Sequence, residues 1–231
     1  MNRRTLRGML LLGAVSALGC EAVTVLQVDF EGDSVGALPA PTQDVGTVAA
    51  FEGSGASVRV AASPQPAADP DKWVRITRTG QFADIPSLRG QLTPFQQDGR
   101  YLTTLQLFIP PGAGAATLQF EPQNSPNDLF SFLHIDFLPD GQLRLNDDPG
   151  LVFGDFPHGQ VFSVAVNLNV SAAAATATIT LLGAASGSLE IPLTGAMHGF
   201  ARQFSAVRLW MGFPHQGSFF ADDLTVLRSP P

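Results

Sequence analysis

Three acids at opposite ends of the chain have the types and spacing of a hard-cation site. In the run Ser218 to Leu227, Asp222 falls on the same strand face as Leu224 and Val226, so a carboxylate points inward if those two do. An inward carboxylate needs a partner, because an unpaired buried charge is costly enough to neutralise itself instead. Near the other end, Phe30-Glu31-Gly32-Asp33 places two more acids around a glycine that permits a tight turn. With the termini brought together, Glu31, Asp33 and Asp222 would assemble the all-oxygen cluster that calcium prefers. The competing expectation is that these acids cap turns or pair with arginine.

A second constellation suits a sugar. If Leu129, Leu133, Ile135 and Phe137 face the core, Phe130, Phe132, His134 and Asp136 line the opposite face of the same strand. By the same alternation Trp73 and Arg75 point away from Val74 and Ile76, and Arg208 and Trp210 away from Val207, Leu209 and Met211. Rings stack on the apolar faces of sugars while guanidinium, carboxylate and imidazole groups bond their hydroxyls, so such a stripe is expected to bind glycan. The alternative is that loops cover these aromatics and make a second small core of them.

Other chemistry finds little footing. Gly53-Ser54-Gly55 reads as a loop fragment, without the flanking strand and helix that a serine-hydrolase elbow needs. The four histidines, His134, His158, His198 and His215, show no paired-ligand spacing for zinc. Asn146-Asp147-Asp148 beside Pro149-Gly150 reads as an Asx-type turn or a second calcium loop. Asn169-Val170-Ser171 matches a glycosylation sequon.

The elements that must position these residues are strands. Phe162, Val164, Val166, Leu168 and Val170 alternate with polar or small residues, and the pattern resumes in Ala175, Ala177, Ile179 and Leu181 against Thr176, Thr178 and Thr180, ending at Gly183. The two runs predict one hairpin. A second hairpin is expected from residues 129–138 and 142–146 around Pro139-Asp140-Gly141, where proline pre-sets φ and glycine accepts a positive one. Further strands are expected at 72–79, 100–109, 116–120, 188–193 and 206–211, and at most one short helical turn within 195–204. Prolines and glycines punctuate the connections, as in Pro110-Pro111-Gly112. Many short strands with such turns predict an all-β sandwich or jelly roll in one domain, residues 21–231.

The opening Asp29-Phe30-Glu31-Gly32-Asp33-Ser34-Val35-Gly36-Ala37-Leu38-Pro39 and the closing Ala221-Asp222-Asp223-Leu224-Thr225-Val226 resemble bacterial domains of the concanavalin A-like lectin/glucanase superfamily. The resemblance implies a two-sheet antiparallel jelly-roll sandwich whose first and last strands pair. It also implies a structural calcium near that junction, for which Glu31, Asp33 and Asp222 are the matching positions. Hydrolases of this superfamily present a Glu-x-Asp-x-x-Glu strand; here the five glutamates, at 21, 31, 52, 121 and 190, are scattered and no such pattern occurs. A non-catalytic role is therefore expected.

Residues 1–20 have the form of an export signal: Arg3, Arg4 and Arg7 precede an apolar run from Met9 to Val15. Ala17-Leu18-Gly19-Cys20 resembles a lipobox, which would make Cys20 the lipidated first residue of the mature protein. As the single cysteine, Cys20 also excludes an intramolecular disulfide and, once acylated, a cysteine nucleophile. Glu21 stands where inner-membrane retention is associated with aspartate, so an outer-membrane, cell-envelope location is expected. Removing the signal takes three of the 13 basic residues and none of the 20 acidic ones, moving the formal net charge from −7 to −10. So acidic a surface argues against nucleic acid as a partner. The combined expectation is a lipid-anchored bacterial lipoprotein that binds carbohydrate or another surface ligand. A structural or assembly role is the alternative, with a glycoside hydrolase or lyase further behind.

Overall fold

The computed structural model describes residues 22–65, 71–80, 82–93, 98–123 and 130–230; Cys20 and Leu129 lie outside them. In chain order the strands are β1 (Val23–Val28), β2 (Thr47–Phe51), β3 (Ala56–Ala62), β4 (Lys72–Arg78), β5 (Ser87–Gln91), β6 (Gly99–Phe108), β7 (Ala116–Pro122) and β8 (Leu133–Phe137). They continue with β9 (Gln142–Leu145), β10 (Val152–Asp155), β11 (Val161–Val170), β12 (Ala175–Gly183), β13 (Gly187–Leu193), β14 (Phe204–Trp210) and β15 (Gly217–Ser229). One short helix, α1 (Ala196–Ala201), precedes β14.

Where apolar and polar residues alternate, the strands pair as expected. β11 and β12 form a hairpin from Phe162 opposite Gly183 to Val170 opposite Ala175. Its turn is held by Ser171, whose Oγ accepts the N–H groups of Ala173 and Ala174 at 3.3 and 3.1 Å. β8 and β9 form the second hairpin around Gly141, which takes φ 89°. Here the strand begins only at Leu133, so Phe132 is not on its outer face. It is buried with Phe120 and Phe204, at centroid distances of 6.4 and 5.8 Å.

The chain forms a two-sheet antiparallel jelly roll. One sheet has eight strands, running β13-β12-β11-β6-β15-β4-β3, with β1 also paired to β15; the other has seven, running β10-β9-β8-β7-β14-β5-β2. The core between them is aliphatic and phenylalanine-rich, from Val164, Val166 and Leu168 on one side to Leu118, Ile135 and Leu209 on the other. At the edge of the larger sheet β13 carries Pro192, which cannot offer an N–H to a further strand.

The last strand organises the larger sheet. β15 pairs with β6 on one side; on the other its first half pairs with β4 and its second half with β1. The two halves meet at a bulge where Asp223 takes φ 53°. The extra residue reverses the facing of the strand: Phe219 and Ala221 point into the core before it, Leu224 and Val226 after it. Asp222 therefore sits opposite Gln106 on the outward side, not in phase with Leu224 and Val226 as simple alternation predicts.

Candidate functional site

The outward face of the seven-stranded sheet gathers polar side chains in registered rows. Across one row stand Arg144, Asp136, Thr117, Trp210, Ser87 and Phe51, on β9, β8, β7, β14, β5 and β2. The next row holds His134, Gln119, Arg208 and Arg89, and Glu121 and Gln91 lie one step further along. Neighbours within a row are about 4.8 Å apart and rows about 6.6 Å apart, a spacing that places one or two sugar rings over several polar groups at once. Gln119, Glu121, Thr117, Ser87 and Asp136 are buried, forming a floor, whereas Phe51, at the end of its row, is exposed.

Two ion networks divide this floor. In the first, Glu121 lies between two guanidiniums: Arg208 Nε donates to its Oε1, and Arg89 Nε to its Oε2 at 2.6 Å. Arg89 Nη1 also donates to Gln91 Oε1 at 2.5 Å, and the Arg208 guanidinium lies 5.6 Å from the Phe51 ring centroid. In the second, Asp136 receives Thr117 Oγ1 and His134 Nε2 on one oxygen and Arg144 Nη2 on the other, each at 2.8 Å. Arg144 Nη2 also bonds Asp147 at 3.1 Å. Burial alone would raise the Asp136 carboxyl; the hydrogen bond and charge of His134, with the bonds from Arg144 and Thr117, outweigh it and hold the group down at about 2.

Because the folded value lies below the unfolded one, Asp136 contributes stability above about pH 4 that is lost as pH falls toward 2. The size is roughly 2 kcal/mol. Asp136→Asn is expected to flatten the wild-type stability profile across that window, as urea denaturation at stepped pH would show.

His134, Asp136 and Asp147 bring three potential metal-ligating atoms within 4.8 Å of one another. A cation already stands among them, since Arg144 Nη2 bonds both carboxylates. His215, on the loop after β14, also approaches this network. Burial pushes its imidazole below the ordinary value, and the charges of Arg144 and Arg78 act in the same direction, against that of Asp136.

Of the expected sugar-binding residues, His134, Asp136, Arg208 and Trp210 come together on this face. Trp210 is half-buried, with its ring centroid 6.2 Å from that of His134 and its indole packed against Gly212, where a Cβ would come within 2.3 Å of it. Trp73 and Arg75 belong to the other sheet, on β4. Arg75 is exposed there, and Trp73 is fully buried, so it is no part of an open stripe. Phe132 is core, for the reason given above, and Phe130 packs on Phe200 of α1 at 4.6 Å. Residues with no local sequence signal complete the floor: Gln119, Glu121 and Arg89.

Among the described residues Glu31, Asp33 and Asp222 do not bring ligand atoms within 4.8 Å of one another. Glu31 Oε1 accepts the backbone N–H of Lys72 at 2.6 Å, and Asp33 Oδ2 accepts that of Ala40 at 3.1 Å. Lys72 Nζ donates to the carbonyl oxygens of Glu31 and Asp33 at 2.7 and 2.6 Å. The pairing of first and last strands does bring these segments to one end of the sheet. As arranged, though, they seat the chain's single lysine, and calcium would have to displace it.

No model of a known protein family matches the sequence, and no curated protein matches it. Solved structures match the fold along nearly its whole length. An endo-1,3-β-glucanase from Streptomyces sioyaensis aligns with a TM-score of 0.57 at 13% identity, over 92% of this chain and 98% of its own. A carbohydrate esterase from a Shiga toxin-encoding bacteriophage aligns at 0.54 and 12%, over 90% and 100%. Lectin II from Ulex europaeus aligns at 0.51 and 11%, over 92% and 99%. The domain is a concanavalin A-like jelly roll, the architecture of such lectins and glucanases. At these identities the likeness shows the fold alone, and the site has to be argued from its own residues.

Proposed function

We propose that this protein is a cell-envelope lipoprotein, anchored through Cys20 in the outer membrane, that binds glycan on the outward face of its seven-stranded sheet without catalysing a reaction. The observation that carries the reading is Gln119. Its Oε1 is buried at the centre of the floor and has no hydrogen-bond partner among the described residues, a cost that a ligand hydroxyl would remove. Trp210 Nε1, on the same face, is also buried without a partner among the described residues. A floor of amide, carboxylate and guanidinium groups beside an indole suits recognition of hydroxyls together with stacking on an apolar sugar face.

Two features support binding over hydrolysis. Asp136 and Glu121 are offset by four residues along β7, about 13 Å, well beyond the roughly 5–9.5 Å between the carboxyls of glycosidases. Each is also clamped by arginine, and a carboxyl held down at about 2, like that of Asp136, is a poor proton donor at neutral pH.

Screening the purified protein on a glycan array tests the reading. Trp210→Ala is expected to abolish any binding found there, at a stability loss of about 1 kcal/mol, against the roughly 3–5 kcal/mol of a core aromatic. Retained binding by this variant would move the site elsewhere. Anchoring is tested separately: Cys20→Ser is expected to shift the protein out of the membrane fraction while leaving its melting temperature unchanged.

A further inference from the structure

The glycan-binding reading leaves the chemical class of the sugar open, and the charge arrangement of the floor narrows it. Arg89, Glu121 and Arg208 are two cations to one anion, at a place where Glu121 and Arg208 are both buried. The remaining contacts of the two arginines are neutral: Gln91 for Arg89, and Ser87 and the Phe51 ring for Arg208. Among the described residues one positive charge is thus left without a counter-charge, where the Arg208 side chain is 9% and that of Arg89 25% exposed, an arrangement that favours an incoming anion. The donors suit one. Among the described residues each arginine uses Nε and Nη1 and leaves its Nη2 without a hydrogen bond, so two planar guanidiniums on neighbouring strands present spare N–H groups. Gln119, directly opposite Arg208 on β7, adds the unpartnered acceptor already noted. Anion-binding donors next to a hydroxyl-binding acceptor match a sugar that carries a carboxylate and hydroxyls on one ring.

We propose that Arg89 and Arg208 seat the carboxylate of a uronic acid while Gln119 Oε1 accepts one of its hydroxyls, so that the ligand class of this face is an acidic polysaccharide. The inference rests on the glycan-binding reading. A planar carboxylate can accept from both guanidiniums at once, whereas a neutral sugar leaves the surplus charge uncompensated. Since the protein is acidic overall, a polyanion is not drawn to it by net charge, and attraction has to come from this local site.

The test is calorimetric titration of the purified protein with polygalacturonate, with the same polymer after reduction of its carboxyl groups to alcohols, and with a sulfated galactan. The expected result is at least tenfold tighter binding of the carboxylated polymer than of its reduced form, and a loss of most of that preference in Arg89→Gln. The wild-type comparison stands on its own if the variant does not fold. Equal affinity for the carboxylated and reduced polymers would overturn the acidic-sugar assignment while leaving the glycan-binding reading in place. Tighter binding of the sulfated polymer would overturn the carboxylate, and binding of no polymer or array glycan would remove both.

Discussion

Glu121→Gln is expected to lower the stability of the domain by roughly 3–5 kcal/mol, although the side chain keeps its size. The carboxylate holds two guanidiniums together on a floor where Glu121 is 2% and Arg208 7% exposed. An amide leaves both charges side by side with no counter-ion, and the cost of an unpaired buried charge far exceeds that of one lost neutral hydrogen bond. Urea denaturation measures it directly. Glu121→Gln combined with Arg208→Met should recover part of the loss, because the pair is removed with its charges. A loss below about 1 kcal/mol in the single variant would mean that water reaches these groups freely, as at an ordinary surface ion pair.

Trp73→Ala is expected to cost a similar amount, roughly 3–5 kcal/mol, with no direct effect on ligand binding. Trp73 follows Lys72 on β4 and points away from Val74 and Ile76, which face the sandwich core, yet none of it is exposed. The segment after β1 is tied down on either side of it. Lys72 holds the carbonyls of Glu31 and Asp33, and Gly36 and Ala37 exchange bonds with Val60 of β3 at 2.8 and 2.9 Å. The ring is buried outside the core between the two sheets. A melting curve and a glycan titration of the same variant separate the two roles: lost stability with retained binding is the expected pair.

The fold was legible wherever one side of a strand meets the core and the other meets solvent, as in β11 and β12. β5 escapes that pattern because its core-facing positions are Leu88 and Gly90, and Gly90 is small for a reason: a Cβ there would meet Leu26 at 2.8 Å. With a single large apolar side chain the strand carries no period to read. Asp222 shows a different limit, since a one-residue bulge reverses facing and leaves no mark in composition. The outward positions of Arg208, Trp210, His134 and Asp136 follow from alternation within their own strands. What alternation cannot supply is which sheet a strand joins, and so Trp73 and Arg75 appear to share a face with residues of the opposite sheet. Glu121 lies 32 residues from Arg89 and 87 from Arg208, and only the strand order of the folded sheet makes them neighbours.

The central claim is that ligand sits over the outward face of the seven-stranded sheet, and the two tryptophans of the chain allow a direct measurement. Trp210 borders that face and Trp73 is buried on the other sheet. Trp73→Phe and Trp210→Phe each leave one reporter, whose fluorescence is followed while glycan is added. Binding is predicted to change the emission of Trp210 in the first variant and to leave that of Trp73 in the second unchanged. Glycan binding that alters Trp73 emission, or that proceeds with Trp210 silent, would contradict the assignment of this face.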